Sequence, residues 1–474
     1  MASRISYLRS WPARSLNVSV SPARLHITRS VLYQCSRKYS SERSAFQPTV
    51  WTPAKGAPSY IKREEASKAL AFAITDEKPH QWGNLLHYLW LRDNCRCSIC
   101  VNQDTRQRNF NTFELPVEIG PSRITSNGAG LEIQWSHGSH VSFYRWDFLE
   151  PYIKGDRPNP EDVQIKYFGE KGHPDSTIEY GQFRNPGANA LGRLTDMIRR
   201  NGFASVSGVP TESAEPTKDL LEEIGPISVT HYGGFYVFIP DLAHADTAYT
   251  NLALPAHTDT TYFTAPAGLQ AFHLLSHMGS GPEDGTGASL GGKSLLVDGF
   301  HVAQLLKEEE PGLFDILATV GVPCHASGNK GIAIAPDKLY PVLEFDAKRN
   351  TMHRVRWNND DRGVVPLGSR FSAKQWYEAA RKWNEILTRK EVEYWFQLEP
   401  GNVLSKHIGL NFFRSPMLTL CTYEVFDNWR VLHGRSAFTG VRKMCGGYIS
   451  RDDFISRWRN TNYPTDQVLK QVIG

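Results

Sequence analysis

The sequence predicts an α+β, mainly β protein: a barrel-type catalytic domain preceded by a small β-rich domain. Three observations carry this expectation. Residues 131–135 and 140–143 alternate apolar and polar side chains, the period of half-buried strands, and Ser126-Asn127-Gly128 punctuates them as a turn. Beyond about residue 186, helical spacing occurs in only a few places, while short strand-like runs recur at 268–275, 293–297 and 352–357. Helices flanking many short strands suit an α+β or barrel-type domain. Third, His257-Thr258-Asp259 lies among apolar and aromatic residues, with His433 far downstream after the run 425–432. Polar ligand types set into apolar runs predict a lined cavity.

Taken in order, residues 1–45 stand apart. Arg4, Arg9, Arg14, Arg24, Arg29, Arg37 and Lys38 occur with several Ser and no acid before Glu42. That is the composition of a mitochondrial presequence, with Arg37-Lys38-Tyr39-Ser40 as the expected processing site, so a matrix location is expected. Residues 46–165 are the expected N-terminal domain and 186–474 the catalytic domain, with a Pro-, Asp-, Lys- and Gly-rich linker at 151–185. Residues 191–200 place Leu191, Leu194 and Ile198 on one helical face, and 371–388 reads as a second helix. The Gly-rich stretch 279–292 lacks the strand-turn-helix frame of a phosphate-binding loop.

The net charge of the 474-residue chain is only +4, which does not argue for nucleic acid. No apolar run approaches the ~20 residues that span a bilayer, so no membrane partner is expected. Seven Cys in a reducing compartment do not suggest a disulfide framework. Cys95, Cys97 and Cys100 are a different matter, because three thiols in six residues suit a structural Zn(II). A fourth ligand is required. His137 and His140 are the candidates, and His140 lies in the strand-like run.

His257, Asp259 and His433 have the residue types of a 2-His-1-carboxylate site. Such a site holds Fe(II) on one face and leaves the opposite positions open. Residues i and i+2 of a strand share a side, so His257 and Asp259 are both expected to face the interior, with the third ligand on another strand. Arg442 offers a planar fork for an anionic co-substrate such as 2-oxoglutarate.

Several longer segments, in order, carry a family resemblance: Trp90-Leu91-Arg92-Asp93-Asn94-Cys95-Arg96-Cys97, Asp246-Thr247-Ala248-Tyr249-Thr250, His257-Thr258-Asp259-Thr260-Thr261-Tyr262-Phe263, Leu295-Leu296-Val297-Asp298-Gly299-Phe300 and Asp427-Asn428-Trp429-Arg430-Val431-Leu432-His433-Gly434-Arg435. The chain resembles the trimethyllysine and γ-butyrobetaine dioxygenases of carnitine biosynthesis from about residue 60 onward. Asp246, the 260–263 continuation and the short spacing from Arg442 to Tyr448 resemble the trimethyllysine branch. The resemblance implies a double-stranded β-helix (jelly-roll) fold, a zinc-binding N-terminal domain and a homodimer. It implies Fe(II) on His257, Asp259 and His433, 2-oxoglutarate on Arg442, and ascorbate as reductant. Tyr232, Tyr236, Tyr249 and Tyr448 match an aromatic cage for a trimethylammonium group, with Asp246 and Asn358 at the amino-acid end of the substrate. Position 236 is Trp in the relatives. A quaternary cation cannot donate hydrogen bonds, so ring faces are its natural partners. The implied reaction is hydroxylation of N6,N6,N6-trimethyllysine at C3. The rival readings are a γ-butyrobetaine hydroxylase, an inactive zinc-dependent binding protein, and a zinc hydrolase, which needs neither Arg442 nor oxygen.

One departure stands out. Relatives run from the equivalent of Gly401-Asn402-Val403-Leu404 almost directly into Val425-Phe426, whereas here residues 405–424 intervene. A retained intron explains this stretch, the alternative being a loop near the site mouth. An insertion there is expected to disturb strand register or to bulge out.

Overall fold

The structure is a computed structural model that describes residues 61–64, 68–75, 78–82, 84–155, 163–172, 176–239, 250–279, 281, 290–348, 350–368, 370–399 and 421–473. The expected presequence, Asp246, Tyr249 and most of the 405–424 stretch lie outside them. The chain divides into two compact units, one ending at Trp146 and the other beginning at Asp147.

Among its described residues the first unit contains two small antiparallel sheets. In one, Pro121–Ser126, Gly130–Trp135 and Val141–Arg145 form a meander in which Leu131, Ile133 and Trp135 are buried and the residues between them are not. Period-two alternation produces this one-sided burial. Trp135 Nε1 donates to Ser142 Oγ at 2.9 Å, and the Tyr144 hydroxyl donates to the carbonyl of Leu91, tying the meander to the short helix Tyr88–Asp93 just before the cysteines.

Among the described residues the second unit has two main sheets and two two-stranded ones, Gly321–Val322 with Tyr340–Pro341 and Leu343–Asp346 with Thr351–Val355. The larger runs in the order Tyr236–Phe238, Val441–Ile449, Leu269–Met278, Cys421–Asp427, Phe203–Ser207, Thr177–Glu179, and the smaller in the order Leu254–His257, Val431–Arg435, Ser294–Asp298, Glu393–Phe396. This is the jelly-roll arrangement that the resemblance implies. Thr177–Glu179 pairs in parallel with Phe203–Ser207, so part of the stretch read as linker is an edge strand of the large sheet.

Alternation along each strand divides its side chains between two environments. From the large sheet, Leu269, Ala271, Tyr423, Val425 and Ile449 point outward against the helices Ala190–Asn201, Glu215–Ile224 and Arg451–Asn462. From the small sheet, Leu295, Val297 and Leu432 pack against Gly299–Glu309, Pro311–Thr319 and Ala373–Leu387. The last of these helices starts with a capping box between Ser372 and Gln375, which satisfies two otherwise orphaned donors. The intervening positions, including Phe203, Phe272, Leu296 and Phe426, point between the sheets.

The run 425–432 is not one strand, as the sequence suggested. Cys421–Asp427 ends in the large sheet, residues 428–430 turn, and Val431–Arg435 begins in the small one. A buried ion pair fixes this corner. Arg430 NH2 lies 2.6 Å from Asp298 Oδ2, and the same guanidinium donates to the carbonyls of Arg200 and Lys166. Asp298 in turn accepts from the first amides of the 299–309 helix as its N-cap.

The register disturbance expected at 405–424 is local where the structure describes it. Tyr423 and Glu424 pair regularly with His273 and Phe272, and the irregularity against Phe203–Ser207 falls between Cys421 and Tyr423. The described end of the intervening stretch is therefore strand, with a register irregularity at Cys421/Tyr423 of the kind expected. It inserts Glu424, 2% exposed, among inward-facing side chains.

Candidate active site

His257 and His433 face each other directly across adjacent antiparallel strands. Opposed residues in such a pair have Cβ atoms about 5 Å apart, so strand pairing brings together two histidines that are remote in sequence. Their ring centroids are 4.3 Å apart. Asp259 does not share the strand with His257, contrary to the i, i+2 argument, because Leu254–His257 ends at the histidine. Asp259 lies on the turn that follows. Thr260 there adopts a left-handed φ of 56°, costly for a β-branched residue. Its hydroxyl accepts from Ala267 N at 2.9 Å, and Arg356 donates to the carbonyls of Thr261, Phe263 and Thr264. Those contacts hold the turn in the strained conformation.

The carboxylate of Asp259 is oriented from both sides. Gln270 Nε2 donates to Oδ2 at 2.6 Å and the Tyr448 hydroxyl donates to the same oxygen at 2.9 Å. Asn428 accepts from the Asp259 amide at 2.9 Å and donates to its carbonyl at 3.0 Å. Oδ1 is left facing the histidines, 3.3 Å from His257 Nε2 and 3.9 Å from His433 Nε2. His257 Nδ1 is 2.8 Å from the carbonyl of Pro255, so it carries a proton and the ring turns Nε2 toward Asp259 Oδ1. One ligand atom from each residue, all within 4.8 Å of one another, fits a single metal ion. Metal–ligand bonds of about 2.1 Å put neighbouring ligands about 3 Å apart, slightly closer than the separations here.

Electrostatics agree with a ligand set. Burial opposes ionisation of Asp259, but His433, the hydrogen bond and charge of His257, and Tyr448 hold its carboxyl well below the usual range. Burial, then the charge of His257, pushes His433 down to about 3, so it is neutral at physiological pH. His257 is raised against the effect of burial by its hydrogen bond to Asp259 and the charge there.

The triad opens into a cavity of about 160 Å³ that Tyr232, Tyr236, Tyr448, Asn358 and Arg442 also line. Every described residue expected at the Fe(II), co-substrate and substrate positions therefore lines one cavity. Tyr448 and Tyr236 meet edge to face with centroids 5.8 Å apart. Asn358 is held by its Nδ2 donating to Asp361 Oδ2 at 3.0 Å. Sequence reasoning missed Tyr262, Asp360 and Asp361 in the lining, and Gln270 and Asn428 behind Asp259. The polar Gln270 between Leu269 and Ala271 was the available signal.

In the first unit, Cys95, Cys97, Cys100 and His140 also converge within 4.8 Å. His140 Nε2 lies 3.4, 3.9 and 3.5 Å from the three sulfurs in that order. Zn–S and Zn–N bonds of about 2.3 and 2.0 Å give tetrahedral edges of about 3.5 Å, so the four residues fit that ion. Burial, then the neighbouring Cys95, pushes the Cys100 thiol up to about 12, a repulsion that a bound dication would remove.

The chain matches the taurine catabolism dioxygenase TauD, TfdA family over residues 164–405 and the N-terminal domain of the γ-butyrobetaine hydroxylase-like family over 61–150. It is 52% identical to a trimethyllysine dioxygenase of Neurospora crassa, over 82% of this chain and 83% of that one. It is 35% identical to the trimethyllysine dioxygenase of Meyerozyma guilliermondii, over 81% and 92%. The mitochondrial trimethyllysine dioxygenase of Homo sapiens is 33% identical, over 83% and 88%. With a two-sheet barrel around one metal-competent triad and this extent of identity, the chain belongs to the trimethyllysine dioxygenase branch of the TauD/TfdA dioxygenases.

Proposed function

We propose that the protein hydroxylates N6,N6,N6-trimethyllysine at C3, the first step of carnitine biosynthesis, using Fe(II), 2-oxoglutarate and oxygen, with ascorbate as reductant. The observation that carries this reading is the shared cavity. His257, Asp259 and His433 line it together with Arg442 and four tyrosines. In this reading the triad holds Fe(II), which when bound supplies the oxidative chemistry. Asp259 serves as a one-oxygen ligand, because Gln270 and Tyr448 occupy its other oxygen. Arg442 takes the distal carboxylate of 2-oxoglutarate. Buried and lowered to about 10, it still carries its charge at neutral pH.

The ring faces of Tyr232, Tyr236 and Tyr448 receive the trimethylammonium, with Tyr262 beside them, and Asn358 orients the amino-acid end. Asp246 and Tyr249, outside the described residues, keep the roles that the resemblance implies. Asp360 and Asp361 add negative potential for the α-ammonium of the substrate. A fixed pose of this kind contributes by orientation, aiming one C–H bond at the metal. Cys95, Cys97, Cys100 and His140 would hold a structural Zn(II). The Arg-rich leader supports a mitochondrial matrix location, and the resemblance supports a homodimer.

Turnover of the purified chain with Fe(II), 2-oxoglutarate and ascorbate tests the reading. Trimethyllysine and γ-butyrobetaine are offered separately, with hydroxylated product and succinate read by mass spectrometry. Product from trimethyllysine alone is expected. Product from γ-butyrobetaine alone would overturn the substrate assignment, and iron-independent or absent succinate formation would overturn the dioxygenase reading.

A further inference from the structure

Tyr236 and Tyr448 lie on strands that pair with each other, but Tyr232 has no strand to hold it. It sits on a surface turn, with Val229 82% exposed nearby. The turn is tight. Thr230 and Gly233 exchange backbone hydrogen bonds at 2.8 and 2.9 Å, and Gly233 takes a φ of 94°, which favours glycine. Successive side chains of a strand point to opposite faces, whereas this reversal brings two consecutive rings, His231 and Tyr232, together. Their centroids are 3.9 Å apart, with the planes tilted by 40°.

Tyr232 and Tyr262 line the cavity, and His231 stands behind them, outside the lining. Its ring meets Tyr262 edge to face with centroids 5.7 Å apart, and Phe263 edge to face at 6.1 Å. Those two residues belong to the turn that carries Asp259, which Arg356 clamps through the carbonyls of Thr261, Phe263 and Thr264. The Tyr262 hydroxyl completes the arrangement by donating to Tyr232 Oη at 3.5 Å. A ring on a surface turn is thus braced against the loop that presents a metal ligand.

We propose that His231 is a positioning residue for substrate recognition: its ring wedges Tyr232 against the 259–264 turn and so fixes the angle of that cage wall. The inference rests on the reading of Tyr232 as a wall of the trimethylammonium cage. The physical reason is directional. A quaternary cation is attracted to the face of a ring and repelled by its edge, so a tyrosine left to rotate spends part of its time presenting the wrong surface. Aromatic packing of this kind is worth about three- to tenfold in a binding constant. Because the wedge acts on binding and not on the reacting bond, its loss falls on KM and leaves kcat. The ring carries the effect, not the imidazole nitrogens, so another aromatic side chain serves in its place.

The test compares H231L, H231F and Y232L in the full chain by KM and kcat for trimethyllysine, KM for 2-oxoglutarate, and Co(II) affinity. H231L keeps apolar bulk without a ring. It is expected to raise the KM for trimethyllysine about three- to tenfold, with the other three quantities within about twofold of wild type. H231F restores the ring and is expected to restore the KM. In a Y232L background H231L should add nothing, because His231 acts through Tyr232. An unchanged KM in H231L, an H231F as impaired as H231L, full additivity with Y232L, or a fall in Co(II) affinity matching the rise in KM overturns the inference while leaving Tyr232 in the cage. An H231L chain that fails to fold overturns it as well, since a positioning role requires a folded, metal-competent variant. A Y232L chain with the wild-type KM for trimethyllysine overturns the cage reading of Tyr232 and this inference with it.

Discussion

Replacing Glu424 by Leu is expected to stabilise the protein, and the gain should depend on pH. The carboxyl is 2% exposed and is raised from 4.5 to about 8 in the fold. Between those values the folded state holds a proton that the unfolded state has released. Stability therefore falls as pH rises through that window and levels off above about 8. At about 1.4 kcal/mol per pH unit, the penalty is about 3 kcal/mol at pH 7 and about 1 kcal/mol at pH 5. E424L removes it, so its advantage over the wild type should shrink by about 2 kcal/mol between the two pH values. Leucine also removes a buried oxygen that has no hydrogen-bond partner among the described residues, a gain that does not depend on pH. Denaturant midpoints followed by tryptophan fluorescence at pH 5 and pH 7 give both quantities. Deleting residues 405–424 joins Leu404 to Val425, so that Val403 and Leu404 take the places of Tyr423 and Glu424. Among the described residues the Tyr423 hydroxyl is likewise buried without a hydrogen-bond partner, so the deletion should stabilise at least as much as E424L. An E424L advantage equal at both pH values, or no advantage, would refute the reasoning. Transcript reads across this stretch that encode it continuously would refute the intron explanation.

Arg430→Ala should destabilise the catalytic unit by about 3–5 kcal/mol, because it strands the buried Asp298 carboxylate. An unchanged denaturant midpoint would count against the corner's dependence on that pair. Tyr448→Phe removes one donor from Asp259 Oδ2 and should weaken metal affinity by about 10- to 100-fold, read by Co(II) titration. A rise in the KM for trimethyllysine with metal affinity unchanged would leave Tyr448 in the cage but not as an orienting group. His140→Ala should lower bound zinc, measured by inductively coupled plasma mass spectrometry, and unfold the first unit early on heating. Equal zinc content in variant and wild type would remove His140 from the ligand set.

Much of the architecture was legible because its signals are local. Residues 191–200 became the helix Ala190–Asn201 and 371–388 the helix Ala373–Leu387, each with its apolar stripe against a sheet. The strand runs at 268–275 and 293–297 became Leu269–Met278 and Ser294–Asp298. Pattern failed at corners. The strand-like run 425–432 conceals a turn at 428–430, because its residues stay buried while the chain passes from one sheet to the other, and burial alone carries no period.

Residue chemistry by itself determined which side chains are suited to bind iron, zinc and a dicarboxylate, since ligand type is a property of the side chain. Tertiary structure alone decided how they meet. The pairing of His257 with His433 comes from strand register across 176 residues, and Gln270, Tyr448 and Asn428 reach Asp259 only once both sheets have closed. Glu424 follows the same rule. In the sequence it is an ordinary acid, and only its place on the inner face of a strand makes it a buried carboxyl that holds its proton. Hydrogen bonds and fields act over a few ångströms of space, and separation along the chain carries no record of that distance.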